Sequence, residues 1–170
     1  IDKLRDTSQS HDRCSVVEVM GRRAGWIALN VAIASGAIAC VTPEMPYDIN
    51  AISDKIIKAH ESQKEHFIVV VAEGVEASDE ITKKINELTG IETRLTVLGH
   101  VQRGGMPTLR DRVAASQMGY HAVELIDRGV TNRVVGMKDN KIIDVDIQEA
   151  LSMKKPFDTE LYRVCNEITF

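Results

Sequence analysis

Ser15-Val16-Val17-Glu18-Val19-Met20-Gly21-Arg22-Arg23-Ala24-Gly25-Trp26-Ile27-Ala28-Leu29 is the stretch that decides the fold class of this chain. Ser15 to Val19 is a β-branched apolar run and reads as a buried strand. A turn bounded by glycines follows, and then Trp26 to Ala34, which is apolar nearly all round. Strand, turn and helix thus succeed one another, and a helix from about Gly25 to Ser35 with so little polar surface is expected to be central.

The same alternation continues downstream. Ala39 to Thr42 reads as a strand. A helix is expected from about Ile52 to Lys64, its Ile52, Ile56 and Ile57 facing inward and Lys55, Lys58 and Glu61 facing out, so it should be peripheral. Phe67 to Ala72 is the third strand and Asp79 to Leu88 the third helix. Thr93 to Leu98 reads as a second buried strand on the pattern of the first. Such β-α-β order implies a parallel sheet with right-handed crossovers.

Two segments then stand out as chemistry: Glu18-Val19-Met20-Gly21-Arg22-Arg23-Ala24-Gly25 and Leu98-Gly99-His100-Val101-Gln102-Arg103-Gly104-Gly105. Both gather cationic side chains around glycine just after a strand. Glycine lets backbone amides approach a ligand, and a nearby helix N-terminus would add N–H groups and a positive dipole end. Arginine supplies a planar fork of donors for phosphate oxygens, so a phosphorylated ligand is expected. The alternative is an ordinary pair of strand-to-helix turns with solvated arginines.

Topology adds an independent reason. Ligands of open parallel sheets gather beyond the carboxyl ends of the strands. Met20-Gly21-Arg22, Pro43-Glu44, Glu73-Gly74 and His100 to Gly105 all fall there, which offers a carboxylate for hydroxyls beside arginines and a histidine for an anion.

Past Gly105 the character changes. Thr108 is placed to cap a helix running to about Ile126, with Asp111 in capping-box register. Ala114, Ala115, Met118, Ala122, Val123 and Ile126 make its apolar face. Arg133 to Met137 and Ile142 to Val145, joined through Asp139-Asn140-Lys141, read as a hairpin.

Composition narrows the class. In 170 residues, 44% hydrophobic and 27% charged, there is enough apolar material for a normal core. A net charge of −4 argues against a nucleic-acid surface. No uninterrupted apolar stretch has the length of a membrane span, and Ile1 to Arg13 is too polar for a signal peptide. Cys14, Cys40 and Cys165 are far apart and lack a metal-ligand spacing, which suits a reducing cytoplasm.

The runs Ile1 to Thr7, Ser15 to Arg22, Ala72-Glu73, Arg94 to Pro107 and Lys154 to Phe157 closely resemble the bacterial ATP-dependent 6-phosphofructokinases, and the resemblance spans essentially the whole chain. It covers only the C-terminal half of such enzymes. Their glycine-rich ATP segment and the segment holding their general-base aspartate have no counterpart here, so the chain is expected to be a piece that is inactive alone.

The resemblance implies an α/β, Rossmann-like parallel sheet, the sugar-binding small domain, from residues 1–101 and 152–170. It assigns 102–151 to a helix and hairpin of the nucleotide-binding domain. It implies that the parent transfers the ATP γ-phosphoryl to the 1-hydroxyl of fructose 6-phosphate, with Mg²⁺, in a cytoplasmic homotetramer. ATP and Mg²⁺ would be bound mainly by the other half.

Residue by residue, the resemblance implies that His100 and Arg103, within His100-Val101-Gln102-Arg103, hold the 6-phosphate, while Arg13 and Arg94 reach it from a neighbouring subunit. Met20 and Gly21 would line the sugar and Glu73 would accept a hydroxyl. Arg22 would lie nearest the transferring phosphoryl as the catalytic cation. The alternatives are a solvated strand-end carboxylate for Glu73 and core packing for Met20.

An effector pocket for ADP or phosphoenolpyruvate is implied around Arg5, Gly36, Ala37, Ile38, Ser62, Lys64, Glu65 and His66. Ile38 stands where many relatives carry a magnesium-organising carboxylate, and Ser62 and Glu65 where they often carry lysine, so regulation is expected to be weak or altered. Two other functions fit the same residues: a pyrophosphate-dependent relative, and a non-catalytic sugar-phosphate-binding module.

Overall fold

A computed structural model describes residues 1–8, 13–64 and 66–168. The chain divides into two compact units, Ile1–Gly104 with Phe157–Phe170, and Gly105–Pro156.

The first unit holds α1 (Asp2–Ser8), β1 (Arg13–Val19), α2 (Trp26–Ser35), β2 (Ala39–Val41), α3 (Ile49–Glu61), β3 (His66–Ala72), α4 (Ser78–Thr89) and β4 (Glu92–Val97). Its four strands lie in the order β2-β3-β1-β4, all parallel. One core, built on Val16, Val69 and Val71, takes Ile52 and Ile56 from α3 and Ile81 and Ile85 from α4. On the opposite face Val17, Val19 and Val70 pack against Ala28, Leu29 and Ala32 of α2, with Leu4 of α1 alongside. The alternating sides of a strand explain the two cores, and because both faces are covered β3 is a continuous apolar run from Phe67 to Ala72 while Val16, Val17 and Val19 of β1 are all buried.

These faces follow from the connections. From β1 the chain crosses by α2 over β3 to the far edge, whereas from β3 it crosses by α4 over β1 to the other edge. Right-handed crossovers in opposite directions put their helices on opposite faces. The loops leaving the neighbours β1 and β3 therefore diverge and open a crevice between them, the switch point at which parallel sheets bind ligands.

Local chemistry moves some boundaries. The second large helix, α3, begins at Ile49, earlier than its apolar spacing implies, because the Asp48 side chain accepts the Asn50 N–H at 2.9 Å and caps it. It ends at Glu61, as Gln63 takes a left-handed φ of 64°. Thr93 to Leu98 is not a buried strand: among the described residues β4 pairs only with β1, and Glu92, Arg94 and Val97 are exposed at this edge. Nor is α2 central in this chain. Ala28, Leu29, Ala32 and Ser35 are buried, but Ile27 is 43% exposed on its outer side.

After Pro156 the chain rejoins this unit as α7 (Thr159–Glu167). Cys165 is buried in the α2-side core, and Phe157 meets Trp26 with ring centroids 5.9 Å apart, edge to face.

The second unit comprises α5 (Leu109–Asp127), β5 (Arg133–Lys138), β6 (Lys141–Asp146) and α6 (Ile147–Ser152). Thr108 and Asp111 form the reciprocal capping box at the start of α5. Positive φ at both Asp139 and Asn140 supplies the tight hairpin turn between β5 and β6. Asp144 of β6 accepts from Arg133 Nε at 2.6 Å and pairs with His121 Nε2 at 2.9 Å. On α5, Ala114, Met118 and Ala122 are half-buried, whereas Ala115, Val123 and Ile126 are exposed.

Candidate functional site

The turn after β1 is shaped by backbone geometry. Gly21 has a φ of 156° and Arg22 is left-handed at 54°, so their two successive N–H groups converge on one point. That point is Glu73, the first residue past β3. Its Oε1 accepts the Gly21 N–H at 3.0 Å and also the Arg22 N–H. These bonds, first from Arg22 and then from Gly21, and the nearby charges of Arg103 and Arg22, hold the Glu73 carboxyl below its ordinary value. It is an anion at neutral pH, gripped at one oxygen, in the crevice between β1 and β3.

Gly74 makes this approach possible. A Cβ there would stand 2.2 Å from the Arg22 carbonyl oxygen. Beside it, Gly25 has no room for a side chain against Thr42, and the Glu44 carboxylate accepts the Gly25 N–H at 2.8 Å where α2 begins. Glu44, placed only by position at a strand end, thus organises the start of α2.

His100, Val101, Gln102 and Arg103 form a 3-10 turn, Gly99–Arg103, and not the approach to an α-helix N-terminus. The next helix, α5, starts at Leu109 in the other unit. Gln102 Oε1 accepts the Met20 N–H at 2.8 Å, which ties this turn to the β1 turn and keeps Gln102 and Arg103 in the first unit. Met20 is half-buried, while Arg22, His100, Val101 and Arg103 are exposed. The structure therefore gathers Met20, Gly21, Arg22, Glu73, Gln102 and Arg103 at the carboxyl edge of the sheet.

Arg13 and Arg94 lie elsewhere. Arg13 opens β1, so the whole strand, roughly 20 Å at the usual rise, separates it from Met20. Both arginines bond to Glu92, which the sequence reading did not single out. Its spacing of two from Arg94 on a strand was the one legible sign, since such residues share a face.

The residues assigned to an effector pocket fall along the amino edge. Arg5 donates to the Ser35 carbonyl oxygen at the end of α2, beside Gly36, whose φ is 60°. Ala37 and Ile38 are buried in the two cores. Ser62 caps α3 and bonds the Lys58 carbonyl at 3.0 Å, Lys64 is half-buried, and His66 opens β3 opposite Arg13. Glu65 lies outside the described residues.

Other chemistry is thinner. Among the described residues there is no cluster of three or more His, Cys, Asp or Glu side chains fit for a metal ion. No helix among them is long and apolar enough to cross a membrane. Burial pushes the Cys14 thiol up to about 12, so it serves the core as a thiol.

Residues 1–126 match the family model described as Phosphofructokinase. The chain is 52% identical over 168 residues to ATP-dependent 6-phosphofructokinase 1 of Clostridium perfringens, covering 99% of this chain and 53% of that protein. Against ATP-dependent 6-phosphofructokinase of Clostridium botulinum strain Hall it is 52% identical over 164 residues, 96% of this chain and 51% of the relative. It thus spans about half the length of the curated relatives it matches. Among solved structures, Pichia pastoris phosphofructokinase in the T-state superposes with a TM-score of 0.77 at 29% identity, over 98% of this chain and 20% of that one. Pyrophosphate-dependent phosphofructokinase from Marinobacter aquaeolei also gives 0.77, over 98% and 49% of the chains, but at 18% identity it shares the fold alone.

Proposed function

Since the chain belongs to the phosphofructokinase family, we propose that it is the sugar-phosphate half of an ATP-dependent 6-phosphofructokinase. The observation that carries this reading is the anionic Glu73 at the switch point, bound to the amides of Gly21 and Arg22, with Gln102 drawing the Arg103 turn alongside.

In this reading Glu73 Oε1 is committed to the backbone, and Oε2 accepts a sugar hydroxyl. Met20 and Gly21 flank the ring. His100 and Arg103 hold the 6-phosphate, with Arg13 and Arg94 reaching it from a neighbouring subunit. The separation of Arg13 from the carboxyl edge supports that division between two copies. As the bond from the sugar O1 to the γ-phosphorus forms, the bond from that phosphorus to the bridging oxygen of ADP breaks. The hydroxyl proton passes to a base outside the residues described here. Arg22 offsets the charge on the transferring phosphoryl, the main task in such chemistry.

ATP and Mg²⁺ would be held mainly by the part of the relatives that this chain does not span. The described residues offer Mg²⁺ no carboxylate cluster. A cytoplasmic homotetramer regulated by ADP or phosphoenolpyruvate completes the proposal. The curated relatives named as ATP-dependent, at 52% identity, favour ATP over pyrophosphate as donor.

The test is a coupled assay for fructose 1,6-bisphosphate on the protein at its relatives' full length. Turnover with ATP and not pyrophosphate is expected, with at least a tenfold rise in KM for fructose 6-phosphate in Arg103→Ala. Turnover with pyrophosphate alone, or an unchanged KM, overturns the reading.

A further inference from the structure

At the amino edge of the sheet, Arg13 opens β1 and Glu92 opens β4, facing one another in the parallel register. Glu92 Oε2 accepts from Arg13 Nε at 2.8 Å. Its Oε1 accepts from Arg94 Nε at 2.8 Å and sits 2.6 Å from Arg94 Nη2. One carboxylate therefore takes a guanidinium on each oxygen. The strand repeat of two puts Glu92 and Arg94 on one face, and the register brings Arg13 to the same face.

The donors left over matter most. Glu92 holds Arg13 by Nε, so among the described contacts Nη1 and Nη2 are not engaged, and Arg94 keeps Nη1. A cavity of about 270 Å³ adjoins the pair, lined in part by Leu4, Arg13, Ser15, Arg94 and Thr96. Two neighbouring cations repel and would otherwise sample many rotamers. A carboxylate between them offsets the repulsion and sets both planes before a ligand arrives.

We infer that Glu92 is a positioning residue that clamps Arg13 and Arg94 into one preformed fork for the phosphate of a sugar phosphate seated on a neighbouring subunit. This rests on the reading of Arg13 and Arg94 under Proposed function. Bonds from Arg13 and then Arg94 keep the Glu92 carboxyl below its ordinary value, so the clamp is charged at neutral pH. Glu92 takes Arg13 by Nε and Arg94 by Nε and Nη2, and the terminal nitrogens it leaves, both of Arg13 and Nη1 of Arg94, are what distinguish a clamp from a competitor for the anion site.

The experiment is steady-state kinetics on the protein at its relatives' full length, varying fructose 6-phosphate and ATP separately, for Glu92→Ala, Glu92→Gln, Arg94→Ala, Arg13→Ala and the Glu92→Ala/Arg94→Ala pair. Glu92→Ala should raise KM for fructose 6-phosphate roughly tenfold, with kcat and KM for ATP within about twofold of the parent. In the Arg94→Ala background the same change should add less than about threefold, because one of the two clamped arginines is already gone and only the setting of Arg13 is left to lose. Glu92→Gln keeps the side-chain shape, so it carries the test if the alanine variant folds poorly. An unchanged or lowered KM in both Glu92 variants, with Arg94→Ala still raising it, overturns the clamp and leaves the phosphate assignment standing. No effect in Arg13→Ala and Arg94→Ala overturns that assignment, and the clamp with it.

Discussion

Gln102 Oε1 accepts the backbone N–H of Met20 at 2.8 Å across a separation of 82 residues. The bond fastens the turn that carries His100 and Arg103 to the turn that carries Gly21 and Arg22. Gln102→Ala should cost about 1 kcal/mol of stability, the net worth of one such bond. In the protein at its relatives' full length it should also raise KM for fructose 6-phosphate several-fold. Chemical unfolding and saturation kinetics check both, and Gln102→Glu, which keeps an acceptor, should lie closer to the parent.

Glu73 makes a prediction about pH. Its carboxyl is held below the ordinary 4.5 by the amides of Arg22 and Gly21. A depressed folded-state pKa contributes stability that is fully present above that ordinary value and is lost as the pH falls through the folded-state pKa. Unfolding midpoints of parent and Glu73→Gln should therefore differ at pH 7 and converge as the solution is acidified below 4.5. A difference that grows in acid would contradict the assignment.

Gly74→Ala tests the crevice sterically. Its Cβ would lie 2.2 Å from the Arg22 carbonyl oxygen and 3.1 Å from Arg23 Cα, both backbone, so the Arg22 turn must move. Overpacking of this kind costs about 1–3 kcal/mol. Turnover at the relatives' full length should fall at least tenfold, because Arg22 is displaced. Thermal melting and kcat report the two effects.

Docking of the C-terminal helix can be read from Trp26, the single tryptophan of the chain. Its ring stands 5.9 Å from that of Phe157, which in turn stands 5.9 Å from Tyr162. Phe157→Ala should shift tryptophan emission to the red at neutral pH and lower stability by roughly 2 kcal/mol, less than for a fully buried aromatic. An unshifted spectrum with unchanged stability would mean that α7 does not depend on this contact.

Much of the fold was legible because burial imposes period. Phe67 to Ala72 is a continuous apolar run, and Val16, Val17 and Val19 are apolar on alternate sides, because strands covered on both faces need this, and the helices between them show their apolar faces. Thr93 to Leu98 misled because an edge strand can carry the same β-branched residues while only one neighbour covers it. Asp48 lacks the partner that marks Thr108 as a cap, since Ala51 and not an acidic or amide residue stands three residues on, and its bond to the Asn50 N–H leaves no such pattern.

Of the candidate site, the glycine-flanked cations and the carboxylate past β3 were visible as residue types at strand ends. Their partnerships were not. Glu73 reaches Gly21 only because β3 lies beside β1, and Glu92 meets Arg13 only because β4 lies on the other side of it. Side-chain period is a local property, so the sequence by itself determines strands, helices and the loops that bear charge. Strand order and register depend on how two cores close across residues far apart in the chain. The tertiary structure alone therefore decided that Arg22 faces Glu73 at one edge of the sheet while Arg13 and Arg94 share a carboxylate at the other.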